Sequence, residues 1–264
     1  MMMMRHMETK SSLISQLQAA GIRRGDALFV HTSLSKLGWV SGGAQTVIEA
    51  LQETVGPEGL LMMATQTGDN SDPAGWEAPP VPVEWWETIR ETMPPYDPEK
   101  TATRGMGRVP ELFRSYPNVY RSQHPMWSVA AWGDDAEQVV SGHTLEAGFG
   151  PGSPIEKMIE RNAKILHLGS PLDATTLWHY AEYGIDGPMK PFGCAMVESG
   201  ERVWKTFEHV DVNSDPFGPI GENIVKRKDV KTFTIHEATC YVIPSDTWEP
   251  VRHALVALRS WLSD

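Results

Sequence analysis

PLDATTLWHYAEYGIDG, residues 171–187, sets a histidine three residues ahead of a glutamate, directly behind what reads as a strand exit. Upstream, Lys164-Ile165-Leu166-His167-Leu168 is a short, mostly apolar run closed by Gly169, Ser170 and Pro171, the pattern of a buried strand leaving a sheet. The spacing then predicts a helix. Asp173 or Thr175 can accept the free N–H groups of its first turn, Leu177, Tyr180 and Ala181 can face inward, and Gly184 followed by Pro188 ends it. On that helix Thr175, Thr176, His179, Glu182 and Tyr183 share one face. A hydroxyl, an imidazole and a carboxylate therefore converge near the carboxyl end of a strand, where open α/β sheets hold their ligands. The same spacing also fits a helix whose polar face is only wet. It does not fit a metal site, because two histidines flanking a glutamate are absent and one His with one Glu cannot fill a metal shell.

Working outward, a helix is expected over residues 8–20, followed by Ala27-Leu28-Phe29-Val30 as a buried strand. This strand runs into HTSLSKLGWVSGG (31–43) and a strongly periodic helix from Ala44 to Thr54. Strand, Ser/Gly-rich loop and helix N-terminus is an arrangement that turns backbone N–H groups towards a phosphate, with Lys36 adding charge, although as a lone loop it also reads as a structural turn. It is neither a Walker loop nor a dinucleotide fingerprint, since no Gly-Lys-Ser/Thr follows and the glycines are misplaced. Residues 60–65, 127–132, 164–169, 201–206 and 231–243 read as further strands, and 110–115, 154–162 and 251–262 as helices. The fold class expected is a single α/β domain over 8–264, with a central mixed, largely parallel sheet flanked by helices; MMMMRHM (1–7) reads as a start-site remnant outside it.

The segment from Gln66 to Lys100 breaks this pattern. Asp69, Asp72, Glu77, Glu84, Glu87, Glu91, Asp97 and Glu99 stand there against Arg90 and Lys100, with tryptophans and prolines interleaved and no regular period. It reads as an irregular lid or pocket wall with a negative lining, or as a solvated acidic loop. The whole chain carries a formal net charge of -11, which argues against nucleic acid and anionic membrane and favours a cationic ligand. Two cysteines, Cys194 and Cys240, and no apolar secretory or spanning run fit a reducing, cytoplasmic setting. His124, ahead of Pro125, reads as a buried structural histidine.

Taken together, VHTSLSKLGWVSGG (30–43), PPYDP with TRGMG (94–107), RSQHP (121–125), GSPIEK (152–157), LGSPLDATTLWHYAEY (168–183) and VWKTFEHVDVN (203–213) resemble the aminoglycoside 3-N-acetyltransferases of the antibiotic N-acetyltransferase family. The blocks fall in the family's order over roughly residues 10–215, and it is their conjunction that is specific. The resemblance implies acetyl-coenzyme A as co-substrate, no metal, and a fold distinct from the GNAT acetyltransferases, whose phosphate loop is not intact near Arg104. It implies that His31, Thr32, Ser33, Leu34, Ser35, Lys36, Gly38, Val40, Gly42 and Gly43 meet the coenzyme, together with Arg104, Gly105, Met106, Gly107 and Thr176. His179 and Glu182 match the family's histidine and glutamate, and Asp211 its downstream acidic position. His167 and Trp178 depart from the aliphatic residues expected there, and the stretch from Ser214 to Lys231 is shorter than in the longer resistance enzymes.

On this reading His179, whose side-chain type titrates near neutrality, takes the proton from the attacking amine. Glu182 orients it or holds a substrate ammonium. Asp69, Asp72, Glu84, Glu87, Tyr183, Asp211 and Asn213 receive the rest of a cationic aminoglycoside. Both substrates bind together and the acetyl group passes directly, with no cysteine in a nucleophile's setting. Two rivals stay open: another small amine as acceptor on the same fold, or a non-enzymatic coenzyme-binding module. A homodimer is also left open.

Overall fold

The alternation of side chains along three central strands, Ala27–Thr32, Leu60–Ala64 and Lys164–Leu168, builds two cores, one on each face of a sheet. Leu28, Val30, Leu61, Met63, Leu166 and Leu168 pack on one side against Leu13, Leu17, Val47, Ile48, Leu51 and Phe113. Phe29, Met62, Ala64 and Ile165 pack on the other against Ile155, Met158, Phe217, Val251 and Leu255. The first group of helices is Lys10–Ala19, Gly43–Val55 and Arg108–Phe113; the second includes Pro154–Glu160, Phe217–Ile224 and Trp248–Leu262. The structure is a computed structural model that describes residues 7–77, 79–185 and 187–262, with side chains to residue 258.

The sheet has seven strands in the order 231–235, 238–244, 164–168, 27–32, 60–64, 129–133, 119–121. Strand 27–32 pairs in parallel with both its neighbours and the other four pairings are antiparallel, so five strands point one way and two the other. The mixed, largely parallel sheet expected from the sequence is therefore present in strand direction. Its central strands end at the Ser33 loop and at Gly169-Ser170, side by side, and between them opens the crevice described below.

Several elements differ from expectation. Residues 231–243 form two strands rather than one, turning at His236-Glu237 with His236 at φ 53°, a turn made without the glycine that would have announced it. A long hairpin, Met189–Glu198 with Glu201–Val210, replaces the single strand expected at 201–206; Pro191 and Gly193 hide its first arm. Residues 66–100 are not wholly irregular. Short 3-10 turns at Pro73–Gly75 and Val83–Trp85 lead into a helix, Trp86–Thr92. This segment is fastened to the hairpin by Asn70, whose amide meets the Ala195 backbone, and by the Arg202 guanidinium on the Met93 carbonyl at 2.9 Å. Met7, set aside with the start-site residues, belongs to the fold: Met7 and Glu8 pair in parallel with Trp39 and Val40. The buried Glu8 carboxylate accepts Ser12 Oγ at 2.6 Å and Gln16 Nε2 at 2.8 Å, which anchors this pairing to the first helix. The rest of that stretch, residues 1–6, lies outside the described residues, as do 263–264.

Candidate active site

Residues 172–182 are helical but not α-helical. They form two 3-10 turns, Leu172–Ala174 and Thr176–Glu182, parted by Thr175 at ψ 86°. Thr175 is the reason: its hydroxyl donates to the Leu172 carbonyl at 2.6 Å and meets His167 Nε2 at 3.1 Å, so it serves those partners instead of capping the next turn. With three residues per turn, side chains at i and i+3 eclipse, and Thr176, His179 and Glu182 stand in one row. Thr175 and Tyr183, expected on the same face, leave it.

His179 Nδ1 lies 2.5 Å from Glu182 Oε2, and Glu182 Oε1 accepts the Asn213 N–H at 2.7 Å. Glu182 is only 3% exposed, so both of its oxygens are committed inside the protein. The His179 ring stacks on Phe149 at 5.1 Å and leans on Phe217 at 4.9 Å. A carboxylate on Nδ1 places the proton there and leaves the Nε2 lone pair to the space the ring faces. Glu182 thus bonds His179 with one oxygen and the Asn213 backbone with the other.

That space is a cavity of about 890 Å3, within the range of small-molecule and cofactor sites. His31, Thr32, Ser33, Leu34, Ser35, Gly38, Val40 and Gly43 line it from the first loop, and Gly105, Met106, Gly107, Thr176 and His179 from the facing segments. Gly42, Gly43, Gly105 and Gly107 all have positive φ, so the two glycine loops take backbone conformations that L side chains rarely adopt. Among the residues sequence reasoning missed, the exposed Trp39 and Arg108 also line the cavity. No ion pair to Arg108 occurs among the described residues, and it is exposed at the rim. An elongated, anionic, aromatic-ended ligand such as coenzyme A fits these residues: glycine backbone, a cation and an exposed indole. Trp39 and Arg108 carried no signal of their own, being one aromatic in a two-residue strand and one cation at the start of a short helix.

Lys36, Gly42 and Arg104 do not line this cavity. Lys36 faces an adjoining one of about 690 Å3 that shares Ser35, Gly38, Ser170, Pro171 and Asp173 with the first. Arg104 pairs with Asp69 at 2.5 Å, and Arg90 holds Asp72 through two bonds of 2.7 and 3.0 Å. Two of the four carboxylates expected to meet a cation are therefore already paired, whereas Glu84 and Glu87 are exposed; none of the four lines the His179 cavity. Tyr183 turns away from it. Its hydroxyl accepts the Phe149 N–H and meets His209 Nε2, both at 2.9 Å, and it passes so close to Gly148 and Gly150 that a Cβ on either would collide with it. Asp211 pairs with Lys190, and Asn213 acts through its backbone on Glu182.

His124, His143, His167 and His209 do not line the cavity. His124 is fully buried, as expected, and its Nδ1 accepts the Met126 and Trp127 N–H groups at 3.2 and 3.0 Å. Burial holds His143 and His167 down to about 4 and lowers His209 as well. Burial pushes the Cys194 thiol up to about 12 and Cys240 to about 11, so neither is a thiolate near neutral pH. No cluster able to hold a metal occurs among the described residues, and no helix there is long and apolar enough to cross a membrane.

A three-layer α/β fold carries a carboxylate-paired imidazole at its strand ends, beside a glycine-looped cavity of small-molecule size. The aminoglycoside 3-N-acetyltransferase family model matches residues 29–254, and the chain belongs to that family of acyltransferases. It is 41% identical to the SPbeta prophage-derived aminoglycoside N(3')-acetyltransferase-like protein YokD of Bacillus subtilis over 236 residues, 88% of this chain and 86% of that protein. The crystal structure of YokD superposes with a TM-score of 0.94 at 37% identity, covering 97% and 96% of the two chains. AAC-IIIb in a binary complex with CoASH gives 0.83 at 31% identity, covering 96% and 98%. AAC-VIa bound to sisomicin gives 0.84 at 32%, covering 96% and 98%.

Proposed function

We propose that this protein transfers the acetyl group of acetyl-coenzyme A to the 3-amino group of the 2-deoxystreptamine ring of an aminoglycoside, in a ternary complex with His179 as general base. The observation that carries the reading is the His179–Glu182–Asn213 chain facing a cavity bounded by two glycine loops. Family membership and the CoASH and sisomicin complexes of its relatives support the two substrates.

The Ser33–Gly43 loop and the Gly105–Gly107 loop hold the coenzyme, with Arg108 close to its phosphates. Thr176 touches or positions the thioester. His179 Nε2 removes a proton from the attacking amine, Glu182 keeps the Nδ1 proton in place, and the imidazolium returns a proton to the departing thiolate. The acidic segment 66–100 and Asp211 attract the substrate's other ammonium groups. The test is a thiol-release assay with acetyl-coenzyme A and several aminoglycosides, the acetylated position being read by NMR. Thiol release with acetylation at the 3-amino group is expected; release only with unrelated amines would overturn the acceptor assigned here.

A further inference from the structure

Thr32 ends the central strand, and His31, one residue before it, lies between two sheet neighbours. Its ring stacks on His167 at 4.8 Å and lies tilted against Phe29 at 5.0 Å, and it is only 7% exposed. His167 on that stack is fully partnered: Nδ1 meets Ser170 Oγ at 2.9 Å, and Nε2 meets Thr175 Oγ1. His31 is not. Its Nε2 is buried with no hydrogen-bond partner, and no described residue bonds to Nδ1. Yet its side chain lines the same cavity as Thr176 and His179.

A buried, unpartnered Nε2 is costly, by about 1–3 kcal/mol for an unmade hydrogen bond, whereas Nδ1 is not among the buried unpartnered atoms. Apolar packing does not require a ring with two idle nitrogens. Of its two neutral tautomers, the one with a bare lone pair on sealed Nε2 avoids burying an unmet donor, so the N–H sits on Nδ1. Burial, with His167 and His179 close by, also keeps His31 uncharged. It cannot share His179's role as an acceptor while it carries that proton, but it can donate.

We propose that His31 is a catalytic residue, donating its Nδ1–H to the acetyl carbonyl oxygen of the bound thioester. This rests on the acetyl-coenzyme A reading above and adds an oxyanion donor to it. The amine lone pair forms the new C–N bond while the C=O π pair moves onto oxygen, where the His31 hydrogen bond shortens. The pair then returns to re-form C=O, the C–S bond breaks with its electrons on sulfur, and the proton taken by His179 passes to the thiolate as CoASH. His31 itself neither gains nor loses a proton.

The experiment compares acetyl-coenzyme A with S-ethyl-coenzyme A, which differs by lacking the carbonyl oxygen, by calorimetry without any amine. Wild type should prefer acetyl-coenzyme A by about fivefold, the worth of a neutral hydrogen bond. The preference should vanish in His31→Phe, which keeps a flat ring, and persist in His31→Asn, whose amide can donate from nearly the same point. With an acceptor, His31→Phe should lose about 100-fold in kcat with CoASH affinity unchanged. Should His31→Phe fail to bind CoASH, the 15N signal of His31 in the wild-type protein decides, moving with acetyl-coenzyme A and not with S-ethyl-coenzyme A. Equal affinity of wild type for the two ligands, a preference that survives in His31→Phe, or an unmoved 15N signal overturns the proposal. Because the binding arm needs no amine, it stands or falls apart from the identity of the acceptor.

Discussion

Glu182 joins His179 to the loop after a distant strand: one carboxylate oxygen sits 2.5 Å from His179 Nδ1 and the other accepts the Asn213 N–H at 2.7 Å. Two functions therefore load one buried group. Glu182→Gln keeps an acceptor for Asn213 but removes the charge facing Nδ1, and should lower kcat tenfold or more, roughly as for other groups that orient a histidine. Glu182→Ala also strands a backbone donor and should cost about 1–3 kcal/mol of stability. Steady-state kinetics and thermal melts separate the two. A kcat untouched by Glu182→Gln would show that the pairing is structural only.

Acid should destabilise the protein through its neutral histidines. Burial holds His143 and His167 at about 4 in the fold, against 6.5 unfolded, so above the unfolded value neither state takes up a proton. As pH falls below about 6.5 the unfolded chain binds protons that the folded one refuses, and stability drops by about 1.4 kcal/mol per pH unit for each histidine until the folded value is reached. His31, His124 and His209 are shifted in the same direction. Urea midpoints from about pH 7.5 to about pH 5 should follow this slope, and His143→Gln should make it shallower. A slope equal in the variant would remove His143 from the account.

Gly42 and Gly43 test the coenzyme loop in different ways. A Cβ on Gly42 collides with the Thr46 hydroxyl, which is bound to the Ser41 carbonyl, while one on Gly43 meets nothing but the cavity. Both have positive φ, so either substitution strains the backbone by about 1 kcal/mol or more. Gly42→Val and Gly43→Val should both weaken coenzyme A binding, measured by calorimetry, with the fold intact by circular dichroism. Unaltered affinity in both variants would move the coenzyme elsewhere.

The acidic segment calls for a salt titration. Asp69 and Asp72 are already paired with Arg104 and Arg90, which leaves the exposed Glu84 and Glu87 as its freer charges. Aminoglycoside affinity should fall as salt rises from about 50 mM to about 500 mM. Glu84→Gln with Glu87→Gln should reduce both the affinity and its salt dependence more than Asp69→Asn with Asp72→Asn. If all four substitutions together change neither quantity, the segment does not attract the substrate.

The apolar runs at Ala27–Val30 and 164–168 and the closing Gly169-Ser170-Pro171 were enough to read the central strands, and the spacing of His179 and Glu182 to bring those two side chains together. The 3-10 geometry was not legible, because it arises where Thr175 is drawn to His167 across the fold. Lid acids were overread for a related reason. Composition counts Asp69, Asp72 and Arg90 but cannot see which charges pair, nor that the segment bonds to the 189–210 hairpin. Tyr183 was assigned to substrate by its place beside Glu182, whereas a turn of three residues sends it towards His209. Trp39 and Arg108 reach the cavity only because a two-residue strand and the start of a short helix, far apart in sequence, fold up to it.

The most direct test is His179→Ala, read by turnover with acetyl-coenzyme A and an aminoglycoside and, on the same sample, by calorimetry with CoASH. General-base transfer through His179 predicts a loss on the order of 100-fold or more in kcat with coenzyme affinity unchanged. Near wild-type turnover in a folded His179→Ala protein would contradict it.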